Sequence, residues 1–474
     1  MTKELGGPDT KRPIVQALTI AGIIALYFAI TAIPPPEGLS QEGLKAIALT
    51  ICAIITWATQ VIPILVSSVV FVFMTFFVGL TTEVEAVKNF ASPTVFFMFA
   101  SILMAVAMYQ SGLNGRIALY ASVLSKGKPK ALILFMMLGT TIMSLFISNV
   151  PTFATFLPIV LALCEKNKCE RGKSNFAKAT IIGVIYSAML GGNAMIGSTP
   201  INVMGVNMLK ELTGEDLISF TQWTFFGFPI VFLTLPILWL IVVTVFPPEF
   251  KKLEGIDDAK KELAELGGLN KQEIKFIILI VAKIAIWFTD KHHGIPVTTA
   301  TVFIAALYFF PGIELLKVDS LKKRLDWTIV IMTGTSIGLA AVMTSSGASK
   351  WLANIALMPF ADSHPMILVL IIGVFCTLIM FVIPSCPASV AVIIPTIVAF
   401  SAETGIPVML LFLPAAFNVA ASWLLPFDPL PFMSFPEKYY SMKDYFKSGI
   451  LAHTVLILVS SGVIMVVGKA LNYF

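Results

Sequence analysis

The sequence has little charge and few of the residue patterns that build covalent or metal-bound scaffolds. Asp, Glu, Lys and Arg make up only 12% of its 474 residues, against 57% hydrophobic residues. Its five cysteines are scattered, with no CxxC pair and no histidine cluster, which argues against a disulfide framework or a structural zinc site. No HExxH, GxSxG, P-loop or GxGxxG sequence stands in a convincing context, so an intramembrane enzyme or an ATP-driven pump is not indicated. No cofactor is predicted.

The apolar residues form long, continuous runs that a soluble protein could not bury. Because these runs do not alternate with polar residues, they exclude a transmembrane β-barrel. We therefore predict an all-α, polytopic membrane protein with about 11 transmembrane helices. The net charge of +5 is explained by basic loops and gives no reason to expect nucleic acid. The first apolar run is of full span length and lacks a cleavage signal, so we predict a retained helix rather than a signal peptide.

Two uncharged stretches, 131–164 and 365–402, are longer than the roughly 20 residues of one span and too short for two. The loops 126–130 and 165–178, which flank the first stretch, are rich in Lys and Arg, so both of its ends are predicted to be cytoplasmic. The first stretch is therefore a re-entrant hairpin with Ser148–Pro151 at its tip, and each arm reaches about 24 Å. The second stretch has few basic residues nearby and is predicted to enter from the outside.

Two further apolar stretches, 177–212 and 408–433, are interrupted by polar, Gly and Pro residues. Such breaks survive in lipid only when they are buried in protein or line a cavity. The order span, span, span, hairpin, broken helix, span occurs at about 42–246 and again at about 273–471, with shared Ser and Pro spacing at the tips. Similar apolar composition can mimic a repeat, but this spacing favours two inverted repeats, each with a re-entrant hairpin and a broken helix. Paired interrupted segments of this kind are typical of a transporter substrate site.

Hairpin tips and broken helices place helix N-termini near the middle of the membrane, where free N–H groups and the helix dipole favour anions, especially carboxylates. No Lys or Arg stands near any of the four breaks, so helix ends, hydroxyls and amides would hold the anion, with or without a bound cation. The alternative is that these residues only kink helices. The candidate donors are Ser148, Asn149, Ser198, Thr199, Ser385 and Asn418.

These features resemble the divalent-anion:sodium symporter family, also called INDY-like dicarboxylate transporters. The resemblance covers most of the chain and rests on both tips, on the repeat and on the broken-helix motif GGNAMIGSTPIN at 191–202. In that family two Ser-Asn-Thr tips and the broken helices bind a dicarboxylate and sodium ions, and each subunit of a homodimer moves a transport domain against a scaffold. The resemblance implies scaffold segments at 1–125 and 248–362 and transport segments at 126–247 and 363–474.

The sequence departs from the family pattern at both tips. The first reads Ser148-Asn149-Val150 and lacks the Thr hydroxyl, whereas the second reads Ser385-Cys386-Pro387 and lacks both Asn and Thr. The second break reads LLPFDPLPFM at 424–433, where a Thr-Pro-Pro-Asn stretch is more usual. The resemblance extends the candidate substrate-binding set to Val150, Pro200, Cys386, Pro387, Pro426, Asp428 and Pro429.

Sodium requires several hard oxygen ligands, and Cys386 and Pro387 offer no side-chain oxygen. Sodium coupling is therefore doubtful at the second tip, and a sodium ion would lie near Ser148, Asn149 and Ser198. The pattern is more similar to the exchanger branch, which includes bacterial citrate/succinate antiporters and plastid 2-oxoglutarate/malate translocators.

We expect a homodimeric transporter that exchanges C4–C5 dicarboxylates such as 2-oxoglutarate, succinate or malate by an elevator mechanism. It would lie in the plasma membrane, in contact with the lipid bilayer, with a cytoplasmic N-terminus. A sodium-coupled dicarboxylate symporter and an inorganic oxyanion transporter of the same architecture are the alternatives. A membrane enzyme or receptor is a further, non-transport class.

Two charged residues stand inside predicted membrane segments. A carboxylate there costs about 2.5–3.5 kcal/mol on insertion scales, so Asp428 should bind a cation or proton, or cap a helix end. Lys283 is expected to extend its ammonium to the membrane surface or to find a local partner.

Overall fold

A computed structural model describes residues 13–321, 327–383, 385–425 and 429–474. All regular elements in these ranges are helical. Among the described residues, eight helices are long and apolar enough to cross a membrane, and five shorter apolar helices accompany them. The predicted all-α, polytopic membrane fold is confirmed, and the predicted number of about 11 spanning helices lies within this range. Pro426 and Asp428 lie outside the described residues, so their roles stay predictions.

The first half of the chain contains the spans, the first hairpin and the first broken helix. Its helices are α1 (Pro13–Ala32), α2 (Gln41–Thr59), α3 (Ile64–Phe77), α4 (Glu83–Lys88), α5 (Pro93–Ser111), α6 (Leu113–Leu124), α7 (Pro129–Phe146), α8 (Asn149–Lys166), α9 (Asn175–Gly191), α10 (Pro200–Thr213) and α11 (Phe220–Val245). Single 3₁₀ turns cover Asn89–Ala91 and Ile196–Ser198.

The second half repeats this order after a charged linker helix. Its helices are α12 (Ile256–Leu266), α13 (Lys271–Phe288), α14 (Asp290–His293), α15 (Val297–Leu307), α16 (Val318–Leu321), α17 (Trp327–Ser345), α18 (Ala348–Ala356), α19 (Pro365–Val382), α20 (Cys386–Thr404), α21 (Val408–Asn418), α22 (Pro429–Ser434) and α23 (Met442–Ala470). Further 3₁₀ turns cover Met358–Phe360 and Phe435–Glu437.

Both predicted hairpins are present. The two arms of the first, α7 and α8, have 18 residues each and meet at Ile147 and Ser148. The arms of the second, α19 and α20, have 18 and 19 residues. Proline stands in the first turn of α7, α19 and α20, where its fixed φ suits a helix and its missing N–H leaves no intrahelical bond unmade. Arms of this length reach roughly 27 Å at 1.5 Å per residue.

Both predicted helix breaks are also present, and the first is fully enclosed. Every residue from 179 to 200, which includes the end of α9 and the whole break, is buried. Burial in protein is the condition under which irregular backbone is tolerated at membrane depth, because no lipid then faces the unpaired groups. The second break differs in its exit: α10 has 14 residues, whereas α22 has only six.

Equivalent helices make equivalent contacts in the two halves. The first hairpin arm packs on the broken helix in both, as α7 on α9 and α19 on α21. The second segment of each broken helix crosses to the other half, where α10 packs on α20 and α22 packs on α8. The spans cross in the same way, with α3 on α17 and α15 on α5. Reciprocal contacts of this kind are expected of a structural repeat and not of a chance similarity in composition.

A buried ion pair ties the helix after the third span to the second half. The Arg116 Nε atom on α6 lies 2.8 Å from the Glu273 Oε1 atom on α13, and the two side chains are 4% and 2% exposed. The guanidinium also donates to the carbonyl oxygens of Gly267 and Gly268. This contact holds α6 against the start of α13. Removing either side chain would leave an uncompensated buried charge, so separating the two helices is costly.

Candidate functional site

The first hairpin tip is closed by an asparagine side chain. The Oδ1 atom of Asn149 accepts hydrogen bonds from Ser148 Oγ at 3.2 Å and from the Val150 N–H at 3.0 Å. All three residues are partly exposed. Among the described residues, the Nδ2 group of Asn149 has no recorded acceptor, so it is available to donate at the N-terminus of α8. The tip thus joins an amide donor to the positive end of a helix dipole.

The first break packs directly onto the end of the first hairpin arm. Ser198 Oγ donates to the Leu145 carbonyl oxygen at 2.6 Å. Thr199 caps α10, where its hydroxyl accepts the Asn202 N–H, and Pro200 is the first residue of that helix. In this conformation the Ser198 hydroxyl donates to the backbone and joins the break to the end of α7, whereas the Thr199 hydroxyl acts as an acceptor.

Two buried amides hold the first break and leave oxygen atoms unpaired. Asn193 Nδ2 donates to the Phe417 carbonyl oxygen at 2.9 Å, and Asn202 Nδ2 donates to the Gly192 and Met195 carbonyl oxygens. The Oδ1 atoms of Asn193 and Asn202 are buried without a hydrogen-bond partner among the described residues. An unsatisfied buried oxygen is costly, and a hard cation or a bound donor would satisfy it.

The second tip is poorer in oxygen ligands. The Ser385 N–H and the Ser389 hydroxyl both donate to the Ile383 carbonyl oxygen. The Ser385 hydroxyl is buried without a hydrogen-bond partner among the described residues. Cys386 and Pro387 open α20 and contribute no side-chain oxygen. Ser385 is therefore the one side-chain oxygen that residues 385–387 offer.

The second break lies beside the first. Asn418 ends α21, and its Nδ2 group donates to the Pro414 carbonyl oxygen and to Ser460 Oγ. Its Oδ1 atom, like that of Asn193, is buried without a partner in the described part of the chain. Since Asn193 donates to Phe417, the residue immediately before Asn418, the two breaks are in contact. The predicted site residue Pro429 is the exposed first residue of α22.

A cleft beside the second break contains a histidine that sequence reasoning missed. The His453 Nε2 atom on α23 lies 2.6 Å from Thr377 Oγ1 on α19, and its Nδ1 atom is buried without a recorded partner in the described residues. The cleft is small, with about 20 Å³ open to the centre of a water-sized molecule, which is room for roughly one water. It is lined by Thr377, Met380, Phe381, Ala421, Ser422, Leu424, Leu425 and His453.

A buried lysine on α13 contacts the end of the first hairpin arm. Lys283 is 0% exposed, and its Nζ atom lies 2.8 Å from Met104 Sδ and 3.4 Å from the Phe146 carbonyl oxygen. The same atom is 4.3 Å from the centroid of the Trp287 ring. Of the two outcomes expected for Lys283, the structure shows a local partner and not an extension to the membrane surface. The expectation that no basic residue lies near any of the four breaks is wrong for the first tip, where Lys283 contacts the end of α7. The chain brings it there from a different helix, which local sequence cannot reveal.

Comparison with known proteins identifies the family. The model described as sodium:sulfate symporter transmembrane region matches residues 15–474. The chain belongs to this family. The chain is also similar to the sodium-dependent dicarboxylate transporter SdcS of Staphylococcus saprophyticus, with 26% identity over 430 residues, covering 86% of this chain and 82% of that protein. An uncharacterized transporter of Haemophilus influenzae is 23% identical over 449 residues, covering 92% and 94%.

The sodium:sulfate symporter family fold also has a structural counterpart. The YdaH transporter of Alcanivorax borkumensis, whose crystal structure was described as having an unusual topology, matches with a TM-score of 0.53. The match covers 97% of this chain and 98% of that one at 15% identity, so it supports the fold alone. The family match and the apolar helices confirm that the chain is a multi-pass membrane protein of a transporter family. The family match and the similar dicarboxylate transporters confirm the resemblance to the divalent-anion:sodium symporter family.

Within this sodium:sulfate symporter fold, the sequence-predicted residues fall into two groups. Ser148, Asn149 and Val150 form the first tip, and Ser198 bonds to Leu145, three residues before this tip. Ser385 makes no side-chain hydrogen bond to the first tip. The binding roles of both groups, and the sodium ligands named from sequence, stay predictions. Asn193, Asn202, His453 and Lys283 were missed as site residues, although the first two stand in the motif at 191–202.

Proposed function

We propose that this protein exchanges C4–C5 dicarboxylates, such as 2-oxoglutarate, succinate and malate, across the plasma membrane without sodium coupling. Relatives named as sodium-dependent dicarboxylate transporters support the substrate class. Helix N-termini at the tips and breaks favour carboxylates in the same way. Exchange in place of sodium symport rests on one observation, the loss of oxygen ligands at the second tip.

The second tip offers too few oxygen ligands for a sodium ion. Hard cations such as sodium are held by several oxygen atoms, because each replaces part of the hydration shell. Ser385 offers the one side-chain oxygen of residues 385–387, and Cys386 supplies a soft sulfur that suits other metals. Without a sodium ion bound at this tip, the sodium gradient cannot drive transport from there. The gradient of one dicarboxylate across the membrane would then drive the transport of another in the opposite direction.

An elevator mechanism is part of this proposal. One group of helices contains the hairpins, the broken helices and the helices that follow them. Within it, α9 packs on α11, α21 packs on α23, and α11 packs on α23. The spans pack among themselves, as α2 on α3 and α13 on α15. These two groups support a transport domain at 126–247 and 363–474 that moves against a scaffold at 1–125 and 248–362. We also propose a homodimer with a cytoplasmic N-terminus, the latter from the basic loops.

Counterflow in proteoliposomes tests the exchange proposal. Uptake of labelled succinate should require unlabelled dicarboxylate inside the vesicles and should not change when external sodium is replaced by choline. Unlabelled 2-oxoglutarate should compete and sulfate should not. Sodium-driven uptake into empty vesicles would contradict exchange, and competition by sulfate alone would favour an inorganic oxyanion as the substrate.

Sodium-coupled dicarboxylate symport is the second candidate, and a specific observation favours it. The unpaired, buried Oδ1 atoms of Asn193 and Asn202 at the first break are hard ligands that a sodium ion could use. The named relatives are sodium-dependent as well. The empty-vesicle arm of the counterflow experiment separates this candidate from exchange.

Cross-linking tests the elevator. Asn207 on α10 donates to Thr94 on α5 at 2.9 Å, across the proposed boundary between transport domain and scaffold. In the double variant Thr94→Cys, Asn207→Cys, cadmium should bridge the two thiolates and reduce counterflow to the background of protein-free vesicles, with recovery on chelation. The two single variants retain the five native cysteines and control for their reaction. Full counterflow in the bridged double variant would show that α5 and α10 do not move apart.

A further inference from the structure

Two contacts place Lys283 next to the first hairpin tip and the first break. Its ammonium touches the carbonyl oxygen of Phe146, which is the last residue of α7 and stands just before the tip residues Ile147 and Ser148. It also lies over the ring of Trp287, one turn further along α13. That ring packs on Gly197 inside the first break so closely that a Cβ atom at Gly197 would overlap it. Lys283 therefore lies between the tip and the break.

The positive charge of Lys283 is not balanced by the groups around it. An ammonium has three N–H donors, and its two recorded acceptors are a thioether, which is a weak acceptor, and a carbonyl oxygen at 3.4 Å. No carboxylate among the described residues pairs with it. The carbonyl end of α7 contributes about half a negative elementary charge, which offsets part of the charge and leaves the site net positive. Buried lysines in membrane proteins are paired with anions or serve function.

We propose that Lys283 is the tethered cation of the substrate site, whose ammonium binds a substrate carboxylate at the first hairpin tip. The inference rests on the proposed dicarboxylate exchange and deepens it, because a covalently attached cation supplies the charge that a mobile sodium ion would otherwise bring. The ligand class is a small carboxylate with two negative charges. One carboxylate binds the Lys283 ammonium, and the helix N-termini and the Asn149 amide bind the other.

The position of Lys283 also limits when it acts. The residue stands on α13 in the proposed scaffold, whereas Phe146 belongs to the proposed transport domain. The ammonium therefore reaches the anion only while the first hairpin is docked on α13, as it is in this conformation. In the elevator proposed above, substrate affinity differs between the two end states for this reason.

Succinate binding to the purified full-length protein in sodium-free choline buffer tests the proposal, with affinity measured by calorimetry. The variant Lys283→Met should bind succinate about tenfold or more weakly, the usual effect of losing a charged hydrogen bond. Lys283→Arg keeps the charge and should retain most of the affinity. Lys275→Met is the matched control on the same helix, since Lys275 is half-buried and donates to the Ile313 carbonyl oxygen away from the site. Its affinity should equal that of the wild type.

The outcomes separate this inference from the proposed function. If the wild type binds no succinate without sodium, the exchange proposal fails at its premise. If the wild type binds and Lys283→Met binds equally well, the tethered-cation proposal is overturned. Restoration of Lys283→Met binding by added sodium would support it further. Should the methionine variant not elute as a folded protein, Lys283→Gln takes its place. A folded Lys283→Arg variant that binds no succinate would contradict the charge requirement.

Discussion

Replacing Gly449 with alanine is expected to abolish both the stable fold and transport. Gly449 lies on α23, where the helix backbone touches the carbonyl of Trp423 inside the second break, and a Cβ atom would overlap that carbonyl oxygen. Tyr186 donates to the same oxygen at 3.4 Å, so the break cannot move away without losing this bond. Overpacking costs about 1–3 kcal/mol when side chains can adjust, and the cost rises when the obstacle is backbone.

Gly462→Ala on the same helix is the matched control. No heavy atom lies within 4 Å of a Cβ built there, so alanine should raise helix stability by about 0.5–1 kcal/mol. Thermal unfolding in detergent, followed by fluorescence-detected size exclusion, compares the two variants, and succinate counterflow reads out activity. An unchanged melting curve for Gly449→Ala would show that the second break is not packed on α23.

The repeat extends this expectation to Gly227. Gly227 and Gly449 each stand seven positions after the first residue of their helix, at Phe220 in α11 and Met442 in α23. A Cβ atom at Gly227 would overlap the carbonyl oxygens of Asn193 and Ala194 in the first break. Each half of the molecule thus presses the irregular backbone of its break against a glycine of the following helix. The same type of glycine contact therefore packs against both breaks.

The fold was largely predictable from the lengths of the apolar stretches, the charged loops that flank them and the polar, Gly and Pro residues that interrupt them. The uncharged run at 131–164, flanked by lysines, predicted a hairpin, and the structure has one with its turn at Ile147 and Ser148. The Gly-Gly and Thr-Pro pairs at 191–200 predicted a broken helix, because glycine ends helices and proline starts them. These signals are local, so a single sequence contains them.

The composition of the site was less predictable, because its contacts come from distant segments. Lys283 and Met104 are 179 positions apart in the chain, and only the packing of α13 on α5 brings the ammonium to the first tip. Gly449 carries no side-chain chemistry, so its role is visible only from the carbonyl it faces. The hydrogen bond from Asn193 to Phe417 joins two breaks that are 224 positions apart in the chain, so it is visible only in the tertiary structure.

Asn149→Asp is expected to abolish dicarboxylate transport while leaving the protein folded. An aspartate has the same shape and keeps an oxygen that can accept the Ser148 hydroxyl and the Val150 N–H, so the tip should stay closed. The change removes the amide donor and adds a negative charge where the proposed substrate brings two. Juxtaposed like charges cost several kcal/mol, so counterflow should fall by about 100-fold or more.

Val150→Thr is the matched control for this change. Threonine has nearly the volume of valine and restores the Ser-Asn-Thr tip that the family resemblance leads one to expect, so counterflow should persist. Equal melting temperatures for wild type, Asn149→Asp and Val150→Thr would assign the loss to the charge and not to unfolding. Full counterflow by Asn149→Asp would place the anion away from the first tip. Because the proposed contact between Lys283 and the substrate lies at this tip, that result would also contradict the proposed role of Lys283.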